Sequence, residues 1–185
     1  NLGSGAFQQV PLTGDLRFPN IVTFSAKCLA TTQITSIDVT GAPVRSVDGF
    51  ASCSSLTNFT PLLPPPVTYL GTMSGCKKLK QDLVFRGPTC TLAGGEHIRG
   101  AGFTSFDMSA LKTVTMNGTL CFFDCGSMTN AVVAKGVTKL YGNSFMQSAS
   151  NLRHLTFLGG PASGLNTTYV SPPASYNMLI TIPRE

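Results

Sequence analysis

Few residues of this 185-residue chain are of types that perform covalent chemistry: eight acidic side chains, two histidines and six cysteines. Asp38 and Asp107 occupy matching places, in Ser36-Ile37-Asp38 and Ser105-Phe106-Asp107. Paired carboxylates of this kind serve glycoside hydrolysis when they stand roughly 5 to 9.5 Å apart. His97 closes Gly94-Gly95-Glu96-His97, which reads as a surface turn offering an acid and an imidazole. Nothing nearby supplies the nucleophile, orienting group and oxyanion donors that a hydrolytic site needs together. Cys121 and Cys125 are four residues apart, too far for a redox C-x-x-C pair, and no Cys or His pair completes a zinc ligand set. The chain has no Walker loop, H-E-x-x-H or G-x-S-x-G sequence. The expectation is a protein that is not an enzyme and carries no cofactor and no metal.

The elements that position these residues recur. Ile34-Thr35-Ser36-Ile37-Asp38-Val39 is an apolar residue, two polar ones, then apolar-x-apolar, and variants of it return along the whole sequence. The apolar residue opening each alternating pair is Leu16, Ile37, Phe59, Leu83, Phe106, Ala131, Leu155 and Ile180, giving intervals of 21, 22, 24, 23, 25, 24 and 25 residues. Period-two alternation marks a half-buried strand, and recurrence at a fixed interval marks a stacked repeat. A single turn of this length cannot bury its own apolar edges, but neighbours at strand spacing cover them. The reading is a solenoid of about eight turns with a parallel β-sheet on one face and little regular helix. Leu111 to Met116 fits the same template as Phe103 to Met108; Phe106 is kept as anchor because Val114 would change the intervals to 31 and 17. A second recurring half, Val44 to Val47, Val67 to Leu70 and Val137 to Leu140, gives each turn another apolar edge.

With the anchors inside, the polar residues between them face outward. Thr35, Asp38, Asn58, Thr60, Asp107 and His154 are the candidate contacts on that face. Three turns separate Asp38 from Asp107, about 14 Å at parallel-strand spacing, which is too far for a glycosidase pair. Cys53, Cys76 and Cys125 each stand three residues before Leu56, Leu79 and Met128, so they form an interior ladder of small thiols. Cys28 departs from that spacing. Cys90 and Cys121 lie off the ladder, and a bridge between them is left open.

Phe50-Ala51-Ser52-Cys53-Ser54-Ser55-Leu56, with Gly75-Cys76-Lys77-Lys78-Leu79 and Phe145 to Leu152, resembles the F-x-x-C-x-x-L core of the BspA-type leucine-rich repeat. The resemblance covers nearly the whole chain. It implies a leucine-rich-repeat array from a surface or secreted protein that adheres to, or binds, a protein or glycan ligand; similar arrays occur in phage tail proteins.

Composition agrees with a recognition or scaffold role. Hydrophobic residues make up 42% and charged residues only 11%, with a net charge of +5. Few charges and many small hydroxyl side chains suit an extracellular or cell-surface setting. The only tight basic cluster, Lys77, Lys78 and Lys80, lacks the interleaved aromatics of a nucleic-acid groove, so no specific nucleic acid is expected. No apolar run reaches the length of a membrane span. Composition does not shift along the chain, so residues 1–185 read as one array. Asn1 to Phe7 looks like the later half of a repeat, which suggests a piece of a longer protein. Sequons stand at Asn58, Asn117 and Asn166. The rival to recognition is an assembly component of a virion, tail or cell-surface lattice that associates through its solenoid ends, because a terminal turn exposes an unpaired strand edge.

Overall fold

The computed structural model describes residues 1–64, 67–95, 97–140, 145–160, 164 and 177–183. The chain is a parallel β-solenoid, with no helix among the described residues. One face is formed by β1 (Thr13–Arg17), β2 (Gln33–Asp38) and β4 (Asn58–Thr60), followed by β6 (Asp82–Val84), β8 (Ser105–Asp107), β10 (Asn130–Val133), β11 (His154–Phe157) and β12 (Leu179–Thr181). The register pairs Leu16 with Ile37, Ile37 with Phe59, Leu83 with Phe106, Phe106 with Ala131, Ala131 with Leu155, and Leu155 with Ile180. The repeat intervals therefore measure the length of one circuit of chain, and Phe106 is the correct anchor. The backbone ladder is interrupted once, between β4 and β6. There the Gln81 side chain accepts from the Phe59 amide at 2.8 Å and donates to Asn58 Oδ1 at 3.3 Å.

A second parallel sheet departs from the expectation of strands on one face only. It consists of β3 (Ser46–Val47), β5 (Tyr69–Leu70), β7 (Thr89–Gly95) and β9 (Thr113–Thr119). Val47 pairs with Leu70, Leu70 with Leu92 and Leu92 with Met116. Leu111 to Met116 matched the strand template because it leads into a strand, one that belongs to this other sheet. Counting isolated bridges from Thr23 to Ser46 and from Leu120 to Leu140, about six turns pass through both faces.

Between the sheets lies one continuous apolar core. Most of its aromatic residues form two stacks: Phe18, Phe24, Phe50 and Phe59 towards the N-terminal end, and Phe85, Phe106, Phe122, Phe145 and Phe157 towards the other. Successive centroids are 5.0 to 6.4 Å apart and several pairs are edge-to-face, the geometry that the ring quadrupole favours. Phe rather than Leu suits these places because a flat ring fills the thin space between two sheets and still interlocks with the ring above.

The corner preceding the first face repeats most faithfully. In turn after turn an amide bonds back three residues, Cys53 to Phe50, Cys76 to Met73, Ala101 to Ile98, Cys125 to Phe122 and Ala149 to Met146. The residue just before each of these is left-handed: Ser52, Gly75, Gly100, Asp124 and Ser148 have φ of 59, 75, 62, 58 and 63°. Thr31, at φ 61°, with Thr32 bonded back to Leu29, and Gln9, at φ 61°, with Val10 bonded back to Phe7, continue the series. Thr32 thus holds the ladder place in the turn where Cys28 seemed displaced. The ladder is Thr32, Cys53, Cys76, Ala101, Cys125 and Ala149, all buried. Each thiol donates to a carbonyl one turn back: Cys53 to Leu29 at 3.1 Å, Cys76 to Phe50 at 3.0 Å and Cys125 to Ile98 at 3.0 Å. All six cysteines are free, so Cys90 and Cys121 are not bridged.

Candidate functional site

The outward side of the first face carries three columns of mostly polar side chains, flanking anchors that point in. Asp15, Ser36 and Asn58 stand in register in the residue before the anchor, and beyond the Gln81 bridge the same column continues as Asp82, Ser105, Asn130, His154 and Leu179. The residue after the anchor gives Arg17, Asp38 and Thr60, then Val84, Asp107, Val132, Thr156 and Thr181. Thr35, Thr57, Gln81, Thr104, Thr129 and Arg153 form the third column, linked in part by amide bonds from Thr57 to Thr35, Thr104 to Gln81, Thr129 to Thr104 and Arg153 to Thr129.

All six contact residues read from the sequence lie in these columns, with Thr35, Asn58, Thr60 and His154 exposed and Asp38 and Asp107 partly so. Asp38 and Thr60 are register partners, whereas Asp38 and Asp107 belong to different sheets. The Asp38 carboxylate accepts from the Thr40 amide at 2.8 Å and stands 3.4 Å from Arg17. Contacts to Thr40, above all, hold its carboxyl below the ordinary value, with Arg17 adding to the effect. Asp107 accepts from the Ser109 amide at 2.7 Å in the same local turn. Asn58 Oδ1 takes the Thr60 hydroxyl at 2.9 Å as well as Gln81. Asp38, Asn58, Thr60 and Asp107 are therefore held by neighbours in rigid strands, which lowers the ordering cost of binding.

Two members of this surface escaped the sequence reading. Asp15 Oδ1 accepts the Thr35 hydroxyl at 2.8 Å, and Asp82 Oδ1 accepts the hydroxyls of Thr104 and Ser105, both at 2.7 Å. Hydrogen bonds from Ser36 and Thr35 lower the Asp15 carboxyl, and those from Ser105 and Thr104 lower Asp82. The available signal was the recurrence of Thr-Ser one turn after an aspartate that precedes its anchor.

His97 corrects the surface-turn reading. It is in a turn, but only 1% of its surface is exposed and neither ring nitrogen makes a well-formed hydrogen bond. Gly94 and Gly95 belong to β7 rather than to a turn, and Glu96 lies outside the described residues. Desolvation lowers the His97 pKa, opposed by the Ala93 carbonyl, the Asp48 carboxylate and the Gly71 carbonyl. Asp48 is itself buried, accepting from the Gly49 and Thr72 amides at 2.6 and 2.8 Å. Gly71 makes room for it, because a Cβ there would collide with the Asp48 carboxylate. Burial pushes the Cys28, Cys90 and Cys125 thiols up to about 12, which leaves them protonated and unreactive. The hydrogen bond between Cys53 and Cys76 holds the Cys76 thiol well above its ordinary value.

At the left-handed corner, Lys77, Gly100, Ala101, Gly102, Asp124, Gly126 and Ser127 line a depression of about 150 Å³. It brings together one lysine, one aspartate and one serine with backbone. Asn58 and Asn117 of the sequons are exposed, and Asn166 lies outside the described residues, as does most of the Gly, Pro and Ser-rich stretch before β12. Among the described residues no group of three His, Cys, Asp or Glu side chains is arranged to hold a metal, and no helix is long and apolar enough to cross a membrane. Comparison with family models, with curated proteins and with solved structures finds no match for the chain.

Proposed function

We propose that this chain is a recognition module of a surface or secreted protein, a BspA-like leucine-rich-repeat array of about eight turns that binds a protein or glycan through its first sheet face. The observation that supports the reading is the contrast between the two sides of the same strands. Anchors from Ile37 to Leu155 are buried, while every outward neighbour is polar from Asp15 to Asp82, several of them fixed by side-chain hydrogen bonds within and between turns. Such a surface loses little freedom on binding, and the reading is of a binding protein rather than an enzyme. The test is a screen of immobilised glycans and extracellular proteins with the wild-type chain and with a variant carrying Asp38→Ala, Asn58→Ala and Asp107→Ala. Binding that disappears in the variant while its thermal midpoint is kept supports the reading; binding that survives refutes it.

A second reading, assembly through the solenoid ends, draws support from β12. That strand closes its sheet, and Leu179 on it is 62% exposed, the most exposed large apolar side chain described. Light scattering over a wide concentration range separates the two. A constant 19.5 kDa monomer favours recognition, and growth with concentration favours assembly.

A further inference from the structure

The corner from His97 to Ala101 is fastened to the turns on both sides of it. The Met73 amide donates to the His97 carbonyl at 2.7 Å and the Gly75 amide to the Arg99 carbonyl at 2.8 Å. On the other side the Gly100 amide donates to the Phe123 carbonyl at 2.9 Å, and the Cys125 thiol to the Ile98 carbonyl at 3.0 Å. The same corner leads into β8, which carries Asp107. At its start sits a buried imidazole with neither ring nitrogen in a well-formed hydrogen bond. Buried polar atoms are nearly always paired in folded proteins, so the stack holds this ring away from the water that would satisfy it.

The groups around the ring decide what a proton does there. Asp48, in the segment just after β3, is buried, and its carboxylate is already occupied by the Gly49 and Thr72 amides. Cys28 reaches the Asp48 carbonyl with its thiol at 3.8 Å. Burial, and after it the Asp48 carboxylate, raises both the Cys28 thiol and the Tyr69 hydroxyl of β5. Arg99 is exposed, its guanidinium 4.5 Å from the centroid of the Phe123 ring, and Glu96 lies outside the described residues. For His97 itself the loss of water outweighs the pull of the Ala93 carbonyl, Asp48 and the Gly71 carbonyl together. An imidazolium is therefore less stable in the closed corner than in an opened one. Each turn of a solenoid touches only its neighbours, so such an opening does not require the whole array to unfold.

We propose that His97 makes this corner an acid-released clasp: it is closed around the neutral ring, and protonation opens it ahead of the rest of the stack, uncovering Cys125. The test is labelling of the native wild-type chain with 4,4′-dithiodipyridine at pH 7 and pH 5, with the labelled cysteines located by peptide mapping and each rate divided by that of the denatured chain at the same pH. Protection of Cys125 is expected to fall roughly tenfold between the two. That of Cys53, whose thiol bonds Leu29 instead, should stay constant, and the fall should be absent in His97→Met. Proton NMR of the wild-type ring, assigned with His154→Gln, needs no substitution in the core and should show His97 titrating below 6.5. A ring that titrates above 6.5, as an imidazolium paired with Asp48 would, overturns the clasp. So does Cys125 protection that is equal at both pH values, that is lost together with that of Cys53, or that falls equally in His97→Met.

Discussion

At the residue scale, neighbours along the chain have opposite fates. Ile37 is fully buried and Asp38 beside it faces solvent. Ile37→Asp places an unpaired charge in the core, a loss of several kcal/mol, and should unfold the array around β2. Asp38→Ala should leave the thermal midpoint unchanged, and melting both variants by circular dichroism checks the register directly. The left-handed corner allows a gain. Ser52 and Ser148 hold φ near 60° with a side chain, where Gly75 and Gly100 hold it without one, so Ser52→Gly and Ser148→Gly should each raise stability by about 0.5 to 1 kcal/mol in urea titrations. His97 gives a pH dependence. Burial lowers its folded pKa below the unfolded value of 6.5, so the unfolded chain takes up the proton first. Its stability contribution is complete above pH 6.5 and is lost as pH falls from there towards the folded pKa. Unfolding free energies measured across that window should decline for the wild type and be flatter for His97→Met.

At the element scale, the weakest step is the one bridged by a side chain. Between β4 and β6 Gln81 supplies what backbone pairing supplies elsewhere. Gln81→Ala leaves the Phe59 amide without its acceptor and should cost about 1 to 3 kcal/mol, with faster amide exchange at β4 than at β2 as the local readout. Much of the architecture was legible in the sequence, because anchor spacing is set by the length of one circuit and alternation by the pleat. The second sheet was less legible. Ser46–Val47 and Tyr69–Leu70 are two-residue strands, too short for alternation to declare itself, and β9 was judged against the template of the other face. The corner hid Thr32 for a similar reason: equivalence there follows φ and amide bonding, which Thr and Cys satisfy alike.

At the scale of the whole molecule, stability comes from stacking rather than from covalent staples. All six thiols are free and buried, so a reducing agent should not change the thermal midpoint, and a thiol-specific disulfide reagent should label the native chain only on unfolding. A reductant-dependent melt would contradict this. The sequence by itself determined the solenoid, its period, the inward anchors and the outward face, since period and polarity are local properties that burial then enforces. It also placed Thr35, Asp38, Asn58, Thr60, Asp107 and His154, the candidate contacts, on that face. Only the tertiary structure decided that about six turns pass through a second face, that His97 is buried, that Thr32 replaces a thiol, and that Asp15 and Asp82 join the face. Those depend on residues some twenty positions apart meeting across one strand spacing, and no local pattern encodes such a meeting until the register of the stack is fixed.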